Sequence, residues 1–219
     1  MLFSVIWLSD WPPCFNMDFK KTIIEILTSL LIIIRRTIFL IFYPYKTMRD
    51  IALNGKSHQT IIILVIALLY FLLSYSLRGS MWWGGAVYIV FLLIFITTVT
   101  FFYHLSKQFK KEIKFRSFIY TFSYTLIPTL FWFISNLILF LVLPPPRTMS
   151  LWGRGFSIFF IAYSVSLLVW KLILVYLAIR FSSRLGLYRI IYMFLLYTII
   201  FVPLSLLLYY FKIFRIPFI

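Results

Sequence analysis

Side chains that carry most enzyme chemistry are scarce in this sequence and lie far apart. Its 219 residues include two histidines, His58 and His104, and one cysteine, Cys14. There is no His-Glu-x-x-His or Gly-x-Ser-x-Gly pattern and no Gly-rich phosphate loop, and one cysteine cannot form a Cys-rich metal site. We therefore predict a protein without enzymatic activity, with no catalytic residues, no cofactor and no metal site.

A lysine inside a long apolar run is the first candidate site. Lys171 follows Trp170 within Phe156–Ile179, where a charge in a membrane costs about 3 kcal/mol or more. The lysine can snorkel to the headgroups, or it can find a partner. Pro128 has no N–H to donate to the Tyr124 carbonyl, which we place at a similar depth. One hypothesis is therefore that Lys171 donates to the Tyr124 carbonyl, or to a neighbouring polar group, at a kink.

Two further polar features accompany this site. Asn136 lies in the same run as Pro128 but at another depth than Lys171, so we expect it to hydrogen-bond between helices instead. Basic residues also cluster in one segment, where they fit contacts with anionic lipid headgroups or, as an alternative, with a protein partner. This basic patch consists of Lys107, Lys110, Lys111, Lys114 and Arg116.

Composition places these candidates in a membrane. Hydrophobic residues make up 63% of the chain, more than a soluble domain of this size can bury, and charged residues only 12%. Runs of about 17 to 25 apolar residues are long enough to cross a bilayer as helices. Five such runs predict an all-α, polytopic transmembrane helical bundle: residues 60–77, 81–105, 118–143, 156–179 and 190–211.

The N-terminal region does not fit this pattern. In Thr22–Leu40, the apolar stretch Ile23–Ile34 is only twelve residues long before Arg35 and Arg36 interrupt it. We predict an amphipathic helix lying in the interface with its basic residues toward the headgroups; the alternative is a tilted sixth span. Residues 1–17 are predicted to be a flexible tail or an over-extended start, and residues 18–59 a cytoplasmic or interfacial region.

Basic residues predict the orientation of the bundle. Of the 21 lysines and arginines, fifteen lie before the first span or in alternate loops on the same side, and five lie on the other side. By the positive-inside rule, the N-terminus is cytoplasmic and residues 212–219 form a short non-cytoplasmic tail. We expect a multi-pass protein of the cell membrane. Because the basic residues flank apolar runs, their expected counterions are anionic headgroups, not nucleic acid.

Three places in the chain carry motifs that occur together in a known family. They are Phe42-Tyr43-Pro44 with Thr47-Met48-Arg49-Asp50-Ile51 and Asn54-Gly55-Lys56, then Phe122-Ser123-Tyr124-Thr125-Leu126-Ile127-Pro128, and finally Trp170. With them the chain resembles, over roughly residues 39–211, a bacterial-type member of the Yip domain family of Ypt/Rab-interacting membrane proteins. Ser123 replaces the family's usual glycine, and the eukaryotic Asp-Leu-Tyr-Gly-Pro element is absent. The resemblance implies five spans after a cytoplasmic N-terminal region, and no defined activity.

Two functions fit these observations. The leading one is a non-enzymatic membrane scaffold or adaptor that organises lipids or partner proteins, either another membrane protein or a second copy of the chain. The alternative is a transport component, such as a permease subunit or lipid-handling transporter. No acid lies inside the five spans, so the usual machinery of proton-coupled pumps is missing. A polar cavity reaching Lys171 would favour transport.

Overall fold

Helices account for nearly all of the protein that the structure describes. The computed structural model describes residues 14–77, 79, 81–110, 112–142 and 151–211, and these ranges contain no strand. Their helices, in chain order, are α1 (Cys14–Phe42), α2 (Pro44–Asn54), α3 (Ser57–Ser76), α4 (Met81–Phe109), α5 (Phe115–Tyr124), α6 (Ile127–Val142), α7 (Leu151–Ser183) and α8 (Leu187–Tyr210). The predicted all-α class is confirmed.

Five segments are long and apolar enough to cross a membrane, in agreement with the predicted runs. They are Ser57–Ser76, Met81–Phe109, Phe115–Val142, Gly155–Ser183 and Leu187–Tyr210. Many of their large apolar side chains point outward, including Leu69, Leu93 and Ile161, each more than half exposed. Water would penalise such a surface, whereas lipid tails solvate it. The chain is a multi-pass membrane protein.

The third span is broken where Pro128 predicts a kink. Helix α5 ends at Tyr124 and α6 begins at Ile127, with tighter i to i+3 hydrogen bonds between them: the Thr125 N–H donates to the Phe122 carbonyl and the Leu126 N–H to that of Ser123, at 3.1 and 3.2 Å. Residues 121–130 are all buried. The break is therefore shielded by protein, as irregular backbone inside a membrane requires.

Helix α1 is longer than the predicted interfacial helix. It continues through Arg35 and Arg36 to Phe42, because neither arginine interrupts helical hydrogen bonding. The predicted headgroup-facing orientation is wrong for Arg36, whose side chain is only 13% exposed and faces α2 and α3, whereas Arg35 is exposed. Among the described residues, helix α1 is not one of the five helices that are long and apolar enough to cross a membrane.

Helices α3 and α4 approach closely through a glycine and an aromatic cluster. A Cβ on Gly84 would lie 2.9 Å from the Phe71 carbonyl oxygen, so a larger residue would push the two backbones apart. The rings of Tyr70 and Phe133 stack 4.2 Å apart, and Phe71 meets the Phe133 ring edge-on at 5.3 Å. This packing fixes α3, α4 and α6 against one another.

Helices α2, α5 and α7 pack together at one end of the bundle. Ser117 in α5 donates to the Ala52 carbonyl of α2 at 3.0 Å, and the rings of Tyr45 in α2 and Phe181 in α7 lie 4.8 Å apart. We name this region the basic end. Its exposed cations are Lys46, Arg49, Lys56, Lys107, Lys110, Lys114, Arg116, Arg180, Arg184 and Arg189.

Candidate functional site

A charged network at the basic end joins three segments of the chain. The Arg36 guanidinium of α1 donates to the Asp50 carboxylate of α2 at 2.7 Å and to the Gln59 side-chain oxygen of α3 at 2.6 Å. The Asn54 amide donates to the other Asp50 oxygen at 2.8 Å. The Arg36–Asp50 pair is the one salt bridge within the described residues and joins α1 to α2, and the Arg36–Gln59 bond holds α1 against the first span.

The network extends into the broken third span. The Tyr124 hydroxyl donates to the same Gln59 oxygen at 2.9 Å, and the Arg36 guanidinium lies 6.0 Å from the centre of the Tyr124 ring. Gln59 and Tyr124 are almost fully buried. These side-chain bonds join α1, α2, α3 and α5, so the network has a structural role: it fixes the angles between these helices.

The pKa of Asp50 reflects this environment. Partial burial raises the pKa, but the hydrogen bonds from Asn54 and Arg36 and the Arg36 charge outweigh burial and hold it below its usual value of 3.8. A lowered folded pKa means that the ionised carboxylate favours the folded state at neutral pH. That contribution is lost only as the pH falls through the folded pKa, below about pH 4.

Hydrogen bonds between hydroxyl groups also join helices at the basic end. The Thr60 and Ser123 hydroxyls, from α3 and α5, lie 3.1 Å apart, and those of Thr121 and Ser182, from α5 and α7, lie 2.8 Å apart. Gly55 lies at the turn between α2 and α3, where a Cβ would approach Tyr120 Cδ2 to 2.6 Å. Two residues of the motifs that resemble the Yip family, Ser123 and Gly55, therefore have direct packing roles.

Lys171 lines a second site, a cavity of about 390 Å³ between α4, the α5–α6 break, α7 and α8. Most of its wall is phenylalanine, leucine, isoleucine and valine, and Lys171 is the one charged residue among the described side chains that line it. The polar remainder consists of Thr98, Thr125, Tyr197, Thr198 and Ser205. The cavity thus pairs an apolar interior with one ammonium and several hydroxyls.

The structure does not bring Lys171 to the Tyr124 side chain. Tyr124 faces Gln59, whereas the next residue, Thr125, lines the Lys171 cavity. No hydrogen bond or ion pair is found for the Lys171 ammonium within the described part of the chain, including one to the Tyr124 carbonyl. The lysine nevertheless lies beside the Pro128 break, through Thr125 and Leu126.

The other predicted residues of the spans have local roles. The Asn136 amide donates to the Trp132 carbonyl of its own helix at 2.8 Å, so the bond the structure shows is not the expected interhelical one. Ser135 supplies that link instead, with its hydroxyl 2.8 Å from that of Tyr163. Trp170 packs on Phe131, with ring centres 6.1 Å apart.

The predicted basic patch lies at the basic end. Lys107, Lys110, Lys114 and Arg116 are exposed around the connection between α4 and α5, and Lys111 lies outside the described residues. Nearby, the Arg189 guanidinium lies 5.7 Å from the centre of the Phe109 ring. The described residues contain no group of three or more side chains that could hold a metal ion.

Sequence reasoning missed the partners of Arg36. Gln59 belongs to none of the motifs described above, and Asp50 belongs to the Thr47-Met48-Arg49-Asp50-Ile51 motif and to the acids outside the spans, without a predicted partner. The available signal was a carboxylate and an amide, both close to the start of the first span, in a chain with only five acids. Buried charges are normally paired, so Arg36 and Asp50 were natural partners.

Comparisons with protein-family models, with curated proteins and with solved structures found no match to this chain. The resemblance to the Yip family therefore stays a prediction drawn from its motifs.

Proposed function

We propose that this chain is a non-enzymatic membrane scaffold or adaptor, similar to bacterial-type Yip proteins, whose basic end gathers anionic lipid headgroups and holds them for a membrane partner. The observation that carries the proposal is the basic end itself. Ten exposed cations from three separate segments, residues 46–56, 107–116 and 180–189, lie there, with Glu112 as the one exposed acid in the connection between α4 and α5. The cell membrane is the expected location, with this end cytoplasmic.

Helix α2 suits an interfacial role at this end. Its buried face, Thr47, Met48 and Ile51, packs on the bundle, while Tyr45 and Lys46 are exposed. Tyrosine and lysine side chains place apolar atoms among the acyl chains and polar tips among the headgroups. The Arg36–Asp50 pair holds α2 in place, so the cations reach lipid from a rigid platform.

Lipid retention tests this proposal. Full-length protein is extracted from bilayers of phosphatidylcholine and phosphatidylglycerol, and the phosphatidylglycerol that remains bound is measured by mass spectrometry. Each surface cation contributes about 1 kcal/mol of attraction to anionic membranes, so changing five to glutamine should lower retention at least about twofold. The variant changes the whole basic patch: Lys107, Lys110, Lys111, Lys114 and Arg116 to glutamine.

A matched variant controls for total charge. It changes the five cations predicted on the opposite side to glutamine, and we expect its lipid retention to match wild type. Equal retention by the two variants would contradict the proposal. The control positions are Arg78, Arg147, Arg154, Lys212 and Arg215.

A lipid-handling transport component is the second candidate, and the cavity at Lys171 favours it. The cavity is not the polar one that transport of a hydrated solute would need, but its largely apolar wall suits an acyl chain. Purification in mild detergent separates the two functions: one stoichiometric transporter or ATPase partner supports transport, and its absence supports the scaffold.

A further inference from the structure

The Lys171 cavity has a charge that the chain itself does not neutralise. Lys171 lies two residues beyond residue 169, the centre of Gly155–Ser183, or about 3 Å along the helix axis. All five acids of the sequence, Asp10, Asp18, Glu25, Asp50 and Glu112, lie outside the five spans. An anion that pairs with this ammonium at its own depth must therefore come from another molecule.

Hydroxyl groups in the same cavity add hydrogen-bonding capacity. The Thr98 and Tyr197 hydroxyl oxygens lie 3.2 Å apart, so one of the two donates to the other. Each hydroxyl has a single proton, and one bond between two hydroxyls consumes only one of them. The other proton has no acceptor within the described residues and is available to a bound anion.

The cavity opens toward lipid along the side of the bundle. Leu168 and Leu172 of α7 and Leu204 of α8 line it, yet each is 40–49% exposed. All three belong to membrane spans, so the opening lies where acyl chains lie. Phe91 and Phe95 of α4 add aromatic rings to the lining. An occupant can therefore enter from the bilayer and place an apolar tail against these rings.

The α5–α6 break supports a binding role for this place. Thr125 and Leu126, the two residues between the helices, both line the cavity. Broken helices near the middle of a membrane commonly border binding sites, because their ends supply backbone groups that an intact helix would use internally. The break, the charge and the cavity therefore coincide.

We propose that this cavity binds one long-chain fatty acid in its carboxylate form. Lys171 pairs with the carboxylate, the free hydroxyl proton of the Thr98–Tyr197 pair donates to it, and the tail lies against the phenylalanines of α4. A carboxylate needs few donors, whereas a phospholipid head is larger and more strongly hydrated, and the volume of about 390 Å³ is at the small end of ligand sites. The ligand class is a single-chain anionic amphiphile.

Equilibrium binding of radiolabelled palmitate to the full-length protein in nanodiscs of phosphatidylcholine tests the proposal. We expect one saturable site per chain, with Lys171→Met weakening binding at least tenfold and Lys171→Arg retaining most of it. Hexadecanol, which has the same tail without the charge, should compete at least tenfold more weakly than unlabelled palmitate. Arg35→Met, which removes an exposed cation of α1 that does not line the cavity, serves as the matched control and should bind like wild type.

Four results would overturn the proposal. Wild-type affinity in Lys171→Met would show that the charge does not recognise the ligand. Equal competition by hexadecanol would identify a site for any acyl tail, and displacement by phosphatidylglycerol in preference to palmitate would identify a phospholipid site. Leu172→Trp, which narrows the opening but keeps Lys171, should also weaken binding at least tenfold. Wild-type binding in this variant would show that the ligand does not bind in the cavity.

Discussion

Replacing Arg36 with methionine should lower the free energy of unfolding by about 2–3 kcal/mol, because it removes charge-assisted hydrogen bonds that are partly shielded from solvent. The Arg36 side chain is 13% exposed and donates to both Asp50 and Gln59. Without it, the Tyr124 hydroxyl still reaches Gln59, but the Asp50 carboxylate loses its cation. Reversible unfolding in mixed detergent micelles measures the difference.

The chain supplies a matched control for this prediction. Arg35 is the neighbouring residue on α1, but its side chain is exposed. Arg35→Met should change the free energy of unfolding by less than about 0.5 kcal/mol, as is usual for surface substitutions. Equal losses in the two variants would show that the arginines act through general charge and not through the network.

The pH dependence adds a second readout. Because the pKa of Asp50 is lowered in the folded state, its pairing stabilises the protein at neutral pH and is lost as the pH falls through that pKa. The difference in the free energy of unfolding between wild type and Arg36→Met should therefore be constant from about pH 5 to 8, and it should become smaller below about pH 4.

Replacing Phe133 with alanine should lower the free energy of unfolding by a similar amount, about 3 kcal/mol. Phe133 is 2% exposed and its ring contacts those of Tyr70, Phe71 and Phe91 at centre distances of 4.2, 5.3 and 6.4 Å. Its removal leaves a space between α3, α4 and α6 that these rigid rings cannot fill. We place the loss at the low end for phenylalanine because lipid, unlike water, solvates the ring in the unfolded state.

Phe159 provides the control for this substitution. It is also a phenylalanine within a membrane span, but it is 68% exposed on α7. Phe159→Ala should change the unfolding free energy in the same micelles by less than about 0.5 kcal/mol. A small loss in Phe133→Ala would mean that the aromatic cluster does not hold the three helices together.

The spans could be predicted from sequence because the signal is local. Each is a continuous apolar run, so its position needs no knowledge of the partner helices. The break near Pro128 has the same origin, since the missing N–H belongs to one residue. Both features follow from the sequence without knowledge of the packing, and the helices of the structure agree with them.

Side-chain pairing between helices could not be predicted, because the depth of a residue in the membrane does not determine which side of its helix the side chain faces. Tyr124 and Thr125 have almost the same depth, but successive residues point about 100° apart, so Tyr124 faces Gln59 and Thr125 faces the Lys171 cavity. Likewise, Arg35 and Arg36 are adjacent in an apolar helix, and only packing determines that Arg36 is the buried one. The cavity itself involves four separate segments and leaves no local pattern.

Reporter fusions at the two ends of the chain test the central claim, a five-span bundle with a cytoplasmic basic end, most directly. One reporter follows Lys21 and the other follows Phe218, and each reports whether its site is cytoplasmic. An odd number of spans between them predicts opposite sides, with the reporter after Lys21 in the cytoplasm. Reporters on the same side, or a cytoplasmic reporter only after Phe218, would contradict the account.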